Sequence, residues 1–570
     1  MPTVRRVVAI VIAVYLLLVL LDRFVLVELL ARRIGIPILF AIAATLACIG
    51  AGFLARRGRR DLPLNFVIGY PIFGTICFLV ALFHISAWTM VPIVGILGGA
   101  GAISVGQRPS AVRPAEGGWP PLRPFVAIVL VLMAISALIA AQAPPSTLDE
   151  LAYHLAVPWT WVKEGRAIEL PLNSHSYFPL GVESADLPFL SILGTGGGIP
   201  SHFLHLFAAI AVTALLLRRT GDCPILAAAV VATPALALTA GWSLVDWVLL
   251  GVAVALVEAE DEATVAAALG AGLLTKYTFI PIAIIAILVT RKFRGALPGV
   301  AIGSIFFIRN LVLTGNPIAP FLSAVAPHVT HYRTGAFISD YIFDGRFIDE
   351  SLGASLLMTI PLAAGLLPLI FIAAEVALLF FAPSARLLVP FFAIPATRAL
   401  PPTRVVRALL AIAIGVQLFL IAYFTERTEA FALLAGRLSD DQYLARVRPS
   451  VATIAAVDGA LPENSRTMVI GLSETYWFQH RVRGGGNFDG PRVSAYLDTG
   501  SVDALYSRLR HDGITHVAVI SATPPTAEAK KSEERETALS DAAKRTLAQM
   551  LDRYAANVTQ RGNATLFALR

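Results

Sequence analysis

Two adjacent carboxylates and a histidine, in Ser146-Thr-Leu-Asp149-Glu150-Leu-Ala-Tyr153-His154, stand just beyond an apolar run from Phe125 to Ala143. A carboxylate at the edge of an apolar layer is partly desolvated, which raises its basicity and suits it to accept a proton. The same stretch, 144–199, also carries Lys163, Glu164, His175, Tyr177, Glu183 and Asp186. It is too long for a tight connection, and loops of that size are more often functional than passive. For any one of these charges the plain alternative is a solvated loop meeting water.

Two cationic positions complement the acids. Lys276, in Leu273-Leu-Thr-Lys276-Tyr277-Thr278, is one of six lysines in the chain and the one that interrupts an apolar run, 263–290. An ionisable group at membrane depth is costly and faces a cavity or a partner, unless it snorkels from a helix end. Arg309 and Asn310 lie at the end of another apolar run and precede a Thr314-Gly-Asn-Pro317 turn. There an arginine either anchors a helix to headgroups or offers its planar fork to two phosphate oxygens.

The elements that must position these groups are membrane helices. With 570 residues, 56% hydrophobic, 15% charged and a mean hydropathy of +0.73, the chain is not a soluble globular protein. A span needs roughly 20 apolar residues. Candidates run near 4–27, 35–55, 64–83, 88–105, 125–143, 200–217, 222–240, 242–258, 263–290, 296–313, 352–381 and 405–424. The run 384–396 is a short span, a re-entrant piece or an interfacial helix, and 263–290 divides into two half-length helices or stays whole. The count is therefore about 11 to 14. Arg5-Arg6 with the apolar run behind it reads as a first transmembrane helix, because no small-residue cleavage site follows.

The net charge of +7 and the pI near 9.4 come mainly from short loops, which argues for topology and against nucleic-acid binding. Arg56-Arg57, Arg59-Arg60, Arg108, Arg113, Arg123, Arg218-Arg219 and Arg291-Lys292 with Arg294 fall at alternate ends of successive spans, Arg32-Arg33 dissenting. The positive-inside rule then places loops 144–199 and 314–351 outside the cytoplasm. The side of the C-terminal tail depends on whether 384–396 crosses.

Cys48, Cys77 and Cys223 have no metal spacing and read as inert buried thiols. No phosphate-binding glycine loop, GxSxG elbow or HExxH motif is present. Gly484-Gly-Gly486 reads as a turn outside any strand–helix pattern.

Three parts follow: 1–122, N-terminal accessory helices with a Pro/Gly/Arg-rich linker; 123–424, the remaining spans and both large outer loops; and 425–570, a soluble α/β domain large enough for its own core. In the last, 468–470, 516–520 and 565–568 read as strands and 440–458, 501–511 and 537–556 as helical, with 523–536 a solvated loop. Nothing in it resembles a catalytic constellation.

Taken in order, Asp149-Glu-x-x-Tyr153-His154, Tyr177-Phe-Pro-Leu-Gly-Val-Glu183, Asp246 in Trp-Ser-Leu-Val-Asp, Thr275-Lys-Tyr277 and Arg309-Asn with Thr314-Gly-Asn-Pro317 resemble the polyprenyl-phosphate-sugar-dependent glycosyltransferases of the GT-C superfold. These are similar to protein O-mannosyltransferases and to the aminoarabinose transferase that modifies lipid A. The resemblance covers about 125–424. It implies a polytopic α-helical protein of the bacterial inner membrane, acting on the periplasmic face, with inversion at the transferred sugar. Asp149 is then the base that deprotonates the acceptor hydroxyl, Lys276 and Arg309 bind the lipid phosphate, and Glu150, His154, Glu183, Asp246 and Asn310 support them. No cofactor is obligatory, although Asp149 with Glu150 or Glu183 could hold a divalent cation. The implied partners are the lipid donor, an envelope glycan, lipid or protein acceptor and the bilayer, without nucleic acid.

Two departures stand out. The catalytic loop of the family usually follows the first span, whereas here four extra spans precede it; the even number of extra crossings preserves its side. Where some relatives carry Lys-Pro-Pro, this chain reads Tyr177-Phe-Pro179, so the phosphate contact there passes to His175 or Tyr177. Rival classes are a transporter or flippase of lipid-linked sugars, which should show repeats or broken helices in matching positions, and a non-enzymatic scaffold.

Overall fold

The computed structural model describes residues 31–106, 124–322, 352–363, 365–378, 385–486, 488–520 and 538–570. The expected span at 4–27, the linker at 107–123, most of the loop 314–351 and the segment 523–536 lie outside them.

Among the described residues, six helices are long and apolar enough to cross a membrane, or up to eight if each of two bent pairs is one span. They include Leu62–Ala81, Ala87–Gly106, Pro124–Ala141 and Arg404–Arg427. Fewer uninterrupted spans appear than hydropathy suggests, because a buried apolar residue scores like a lipid-facing one. Asp246–Glu258 is only 13 residues long and almost wholly enclosed. The run 263–290 breaks into Glu262–Thr275 and Phe279–Thr290, with Lys276 extended at the break. The run 352–381 is likewise divided into Gly353–Leu357, Ile360–Leu362 and Leu366–Leu378, and 384–396 is a turn, Ala385–Leu388, followed by the helix Val389–Ala396.

Glycines let the first described helices meet backbone to backbone. A Cβ on Gly52 would lie 1.9 Å from the Asn65 carbonyl oxygen, and one on Gly69 1.8 Å from that of Cys48. Small residues at helix contacts are the membrane solution to close packing. The same device reaches the loop 144–199: a Cβ on Gly74 would lie 1.8 Å from the carbonyl oxygen of Gly181. Helix Leu62–Ala81 is therefore pressed against the loop, and Gly181 N–H donates to the Leu274 carbonyl at 2.9 Å, two residues before Lys276.

Among its described residues the tail holds a five-stranded sheet, in the order Arg481–Arg483, Arg466–Ile470, His516–Ile520, Ala564–Leu569, Ala555–Arg561. β1 (Arg466–Ile470), β2 (Arg481–Arg483) and β3 (His516–Ile520) are parallel, with Met468 opposite Val517. β5 (Ala564–Leu569) runs antiparallel to β3 and to β4 (Ala555–Arg561). Helices Val502–His511 and Asp541–Tyr554 cover it. One expectation is corrected: Gly484–Gly486 does join a strand to a helix, β2 to Gly490–Leu497. The strand has three residues, too short to show as periodicity.

The tail docks on the loop. Thr475 N–H donates to the Leu151 carbonyl at 2.9 Å, and the Trp159 indole and Lys163 ammonium reach the Phe478 carbonyl at 2.9 and 2.8 Å. Leu172 of the loop packs within the core of the tail. Tail and loop 144–199 therefore lie on one side.

Candidate active site

The loop is folded into the interior, not spread in water: Glu150, His154, His175, Glu183 and Asp186 are all buried. Each finds a different environment, and this separates the candidates.

Asp149 N-caps a short turn, Glu150–His154, and its Oδ2 accepts from Arg386 Nη2 at 2.8 Å. The two side chains are 25% and 16% exposed, so the pair lies at the mouth of the site. Burial pushes the Asp149 carboxyl up, but the Arg386 guanidinium, with the charge of Lys276, outweighs it and holds Asp149 below the usual carboxylate range.

Glu150, one residue on, is fully enclosed. Its Oε1 accepts from His202 Nε2 at 2.6 Å and from Ser243 N–H at 2.8 Å, while Oε2 accepts from Thr147 Oγ1 and N–H at 2.8 and 3.1 Å. Burial alone would raise this carboxyl; the imidazole and these donors hold it at about 2. A carboxylate so satisfied is a fastener between segments and not a base.

His154 Nδ1 lies 2.9 Å from Glu183 Oε1. The Tyr153 ring stacks on His175 at 4.4 Å by centroid and lies tilted against His154 at 3.9 Å. Burial pushes His175 down to about 4, Asp149 partly offsetting this, so its ring is neutral near pH 7. His175 Nδ1 is buried without a hydrogen-bond partner among the described residues. Gly486 of the tail faces it, and a Cβ there would come within 3.0 Å of that nitrogen.

Lys276 sits at the break between its two helices, half-buried, and its charge is felt at Asp149, His154 and His175. Arg309 Nη1 donates to the Ser176 carbonyl at 2.8 Å, and its guanidinium lies over the Phe78 and Tyr177 rings. Asn310 Nδ2 donates to the Tyr177 carbonyl at 2.6 Å. Tyr277 joins them, its hydroxyl donating to the Ala319 carbonyl at 2.9 Å and accepting from Asn310 at 2.9 Å. The Tyr177 hydroxyl is taken by Glu169. Of the two residues expected at this phosphate position, His175 therefore offers a ring nitrogen beside Asp149, whereas Tyr177 spends its polar groups holding the loop. Asp246 is buried at the start of its helix, its Oδ1 without a hydrogen-bond partner among the described residues.

The carboxylates expected to share a divalent cation are committed to separate partners: Asp149 to Arg386, Glu150 to His202, Glu183 to His154. Among the described residues no group of three His, Cys, Asp or Glu side chains converges on a metal position.

Sequence reasoning missed Arg386, His202 and Asp489. Arg386 and His202 carry the signal that identified Lys276, an ionisable residue amid apolar sequence. Asp489 Oδ2 accepts from Ser174 N–H at 2.9 Å and Gly486 N–H at 2.7 Å, so the tail helps to shape the site. Burial pushes Asp489 up to about 6 despite these donors. A cavity of about 220 Å³ opens between loop and tail, with Glu169, Asn173, Arg483, Tyr496 and Asp512 on its wall.

Neither a protein-family model nor a curated protein sequence matches the chain. Among solved structures it is similar to ArnT from Cupriavidus metallidurans bound to undecaprenyl phosphate, with a TM-score of 0.45 and 15% identity, covering 78% of this chain and 97% of that one. It is also similar to the same protein in the apo state, with a TM-score of 0.44 and 14% identity over the same shares of each chain.

Proposed function

We propose that the chain is a membrane glycosyltransferase of GT-C type, moving a sugar from a polyprenyl-phosphate-linked donor to an envelope lipid, polysaccharide or protein on the extracytoplasmic face. The observation that carries this reading is a partly exposed carboxylate, Asp149, held among Arg386, Lys276 and a neutral His175 in the loop that follows the helix Pro124–Ala141. An anionic lipid headgroup needs cations at that depth, and the acceptor needs a base beside them.

In the reaction, the acceptor hydroxyl oxygen bonds to the anomeric carbon, its proton passes to Asp149, and the bond from that carbon to the phosphate oxygen breaks. The electron pair leaves with the lipid phosphate. Lys276 and Arg386 stabilise the growing phosphate charge, and His175 supplies a neutral hydrogen-bonding nitrogen. Arg309 and Asn310 hold Ser176 and Tyr177, keeping His175 in place. The seam between loop and tail receives the polar part of the acceptor.

The test is purified protein in lipid nanodiscs with a panel of synthetic polyprenyl-phospho-sugars. Release of polyprenyl phosphate matched by a glycosylated envelope product is expected; no release with any donor would overturn the reading.

One observation favours a second reading. Two apolar helix pairs are bent, Pro224–Val231 with Pro234–Gly241 by 71° and Phe293–Gly303 with Ile305–Thr314 by 49°, and broken helices are common in transporters. Movement of a labelled lipid-linked sugar across proteoliposomes without transfer would select a flippase.

A further inference from the structure

We infer that Arg386 couples the base to the leaving group, exchanging the Asp149 carboxylate for the phosphate of the lipid donor when the donor binds. The inference rests on the glycosyltransferase reading and adds to it a residue and an order of events.

The starting geometry is the 2.8 Å contact between Arg386 Nη2 and Asp149 Oδ2, at the mouth of the site and partly open to an incoming headgroup. Lys276 adds a second positive charge near Asp149, beside the Arg386 guanidinium. A base so paired is a poor proton acceptor, and the site must release it for chemistry.

Charge balance supplies the release. A sugar joined to a polyprenyl phosphate is a phosphodiester carrying one negative charge. After transfer the phosphate is a monoester carrying nearly two at neutral pH, its second pKa being near 6. Over the same step Asp149 takes the acceptor proton and passes from one negative charge to none. One unit of negative charge thus moves from the carboxylate to the phosphate. A guanidinium between the two loses its hold on Asp149 as it gains on the phosphate, so its attraction to the leaving group is larger in the transition state than before it. The planar fork can hold one oxygen of each acid during the change, which a lysine point charge cannot do. Before the donor arrives Asp149 remains paired, so the acceptor is activated only after the donor is bound.

The exchange makes a prediction about binding that needs no turnover. Undecaprenyl phosphate itself is the probe, titrated into full-length protein in nanodiscs for wild type, Asp149→Asn, Arg386→Gln and the double variant. Removing the Asp149 carboxylate removes the group that competes with the phosphate for Arg386, so Asp149→Asn should tighten binding about tenfold. In the Arg386→Gln background the same substitution should change binding less than threefold. Equal effects in both backgrounds would overturn the exchange while leaving the lipid-phosphate reading standing; no saturable binding by wild type would overturn both. Folding is checked by the thermal unfolding of each variant. Where Arg386→Gln unfolds, Arg386→Lys takes its place, with partial coupling expected and full additivity overturning the inference.

Discussion

Glu150 and His202, 52 residues apart in the chain, are joined at 2.6 Å inside the protein, both fully enclosed. Their contact ties the start of the loop 144–199 to the helix Gly198–Thr220, and it explains how two neighbouring acids acquire different work. Glu150 is depressed to about 2, so its stabilising contribution is present above its unfolded value of 4.5 and is lost as pH falls through about 2. Glu150→Gln should lower stability by about 3 kcal/mol, the scale for breaking a buried charged contact, seen as a lower unfolding temperature near pH 7. An unchanged unfolding temperature would remove the fastening role.

Asp149→Asn should behave in the opposite way. The amide keeps the shape but accepts no proton, so transfer should fall about a hundredfold or more, while the unfolding temperature stays near that of wild type. Steady-state transfer at saturating lipid donor measures this, and near-normal turnover would move the base elsewhere.

Lys276→Ala should raise the apparent KM for the lipid donor about tenfold and lower kcat, because a charge that faces Asp149 and the phosphate position is removed. Arg309→Ala should do the same by another route, since Arg309 holds the Ser176 carbonyl beside His175. Arg309→Lys should recover only part, because an ammonium lacks the planar fork that stacks on Phe78 and Tyr177. Wild-type kinetics for both alanine variants at limiting donor would place the phosphate site elsewhere.

Asp489 gives the seam between tail and loop a pH dependence. Its value is raised from 3.8 to about 6, so its contribution to stability is complete below pH 3.8 and is lost as pH rises through 6. The difference is about 3 kcal/mol. Asp489→Asn keeps an oxygen for the N–H groups of Ser174 and Gly486 but does not titrate. The unfolding temperature of wild type relative to this variant should fall between pH 4 and 6.5, and a constant difference would exclude the linkage.

Gly74→Leu tests whether the N-terminal helices shape the site. A Cβ at 1.8 Å from the Gly181 carbonyl must move that segment, and Gly181 is hydrogen-bonded next to the Lys276 break. Transfer should fall more than tenfold by this steric route, although Gly74 touches no reacting group. Gly95→Leu in the neighbouring helix, where a Cβ meets nothing within 4 Å, should be silent.

By itself the sequence determined the membrane class, the soluble tail and most of the candidate groups. Apolar runs, short arginine-rich loops and the cost of a lysine within a span are local properties that need no partner to be read. Asp149, Lys276, His175 and Arg309 were legible for that reason, and so were strands β1, β3 and β5 with their continuous apolar residues. The tertiary structure alone decided which carboxylate is open. Asp149 and Glu150 are adjacent and chemically alike, and only the approach of Arg386, 237 residues away, to one and of His202 to the other separates them. It also decided that Tyr177 braces the loop, that Asp489 reaches the site from the tail, and that Leu62–Ala81 presses on Gly181. These are contacts between distant segments, fixed by close packing of backbone on backbone, and hydropathy and spacing along the chain carry no record of them.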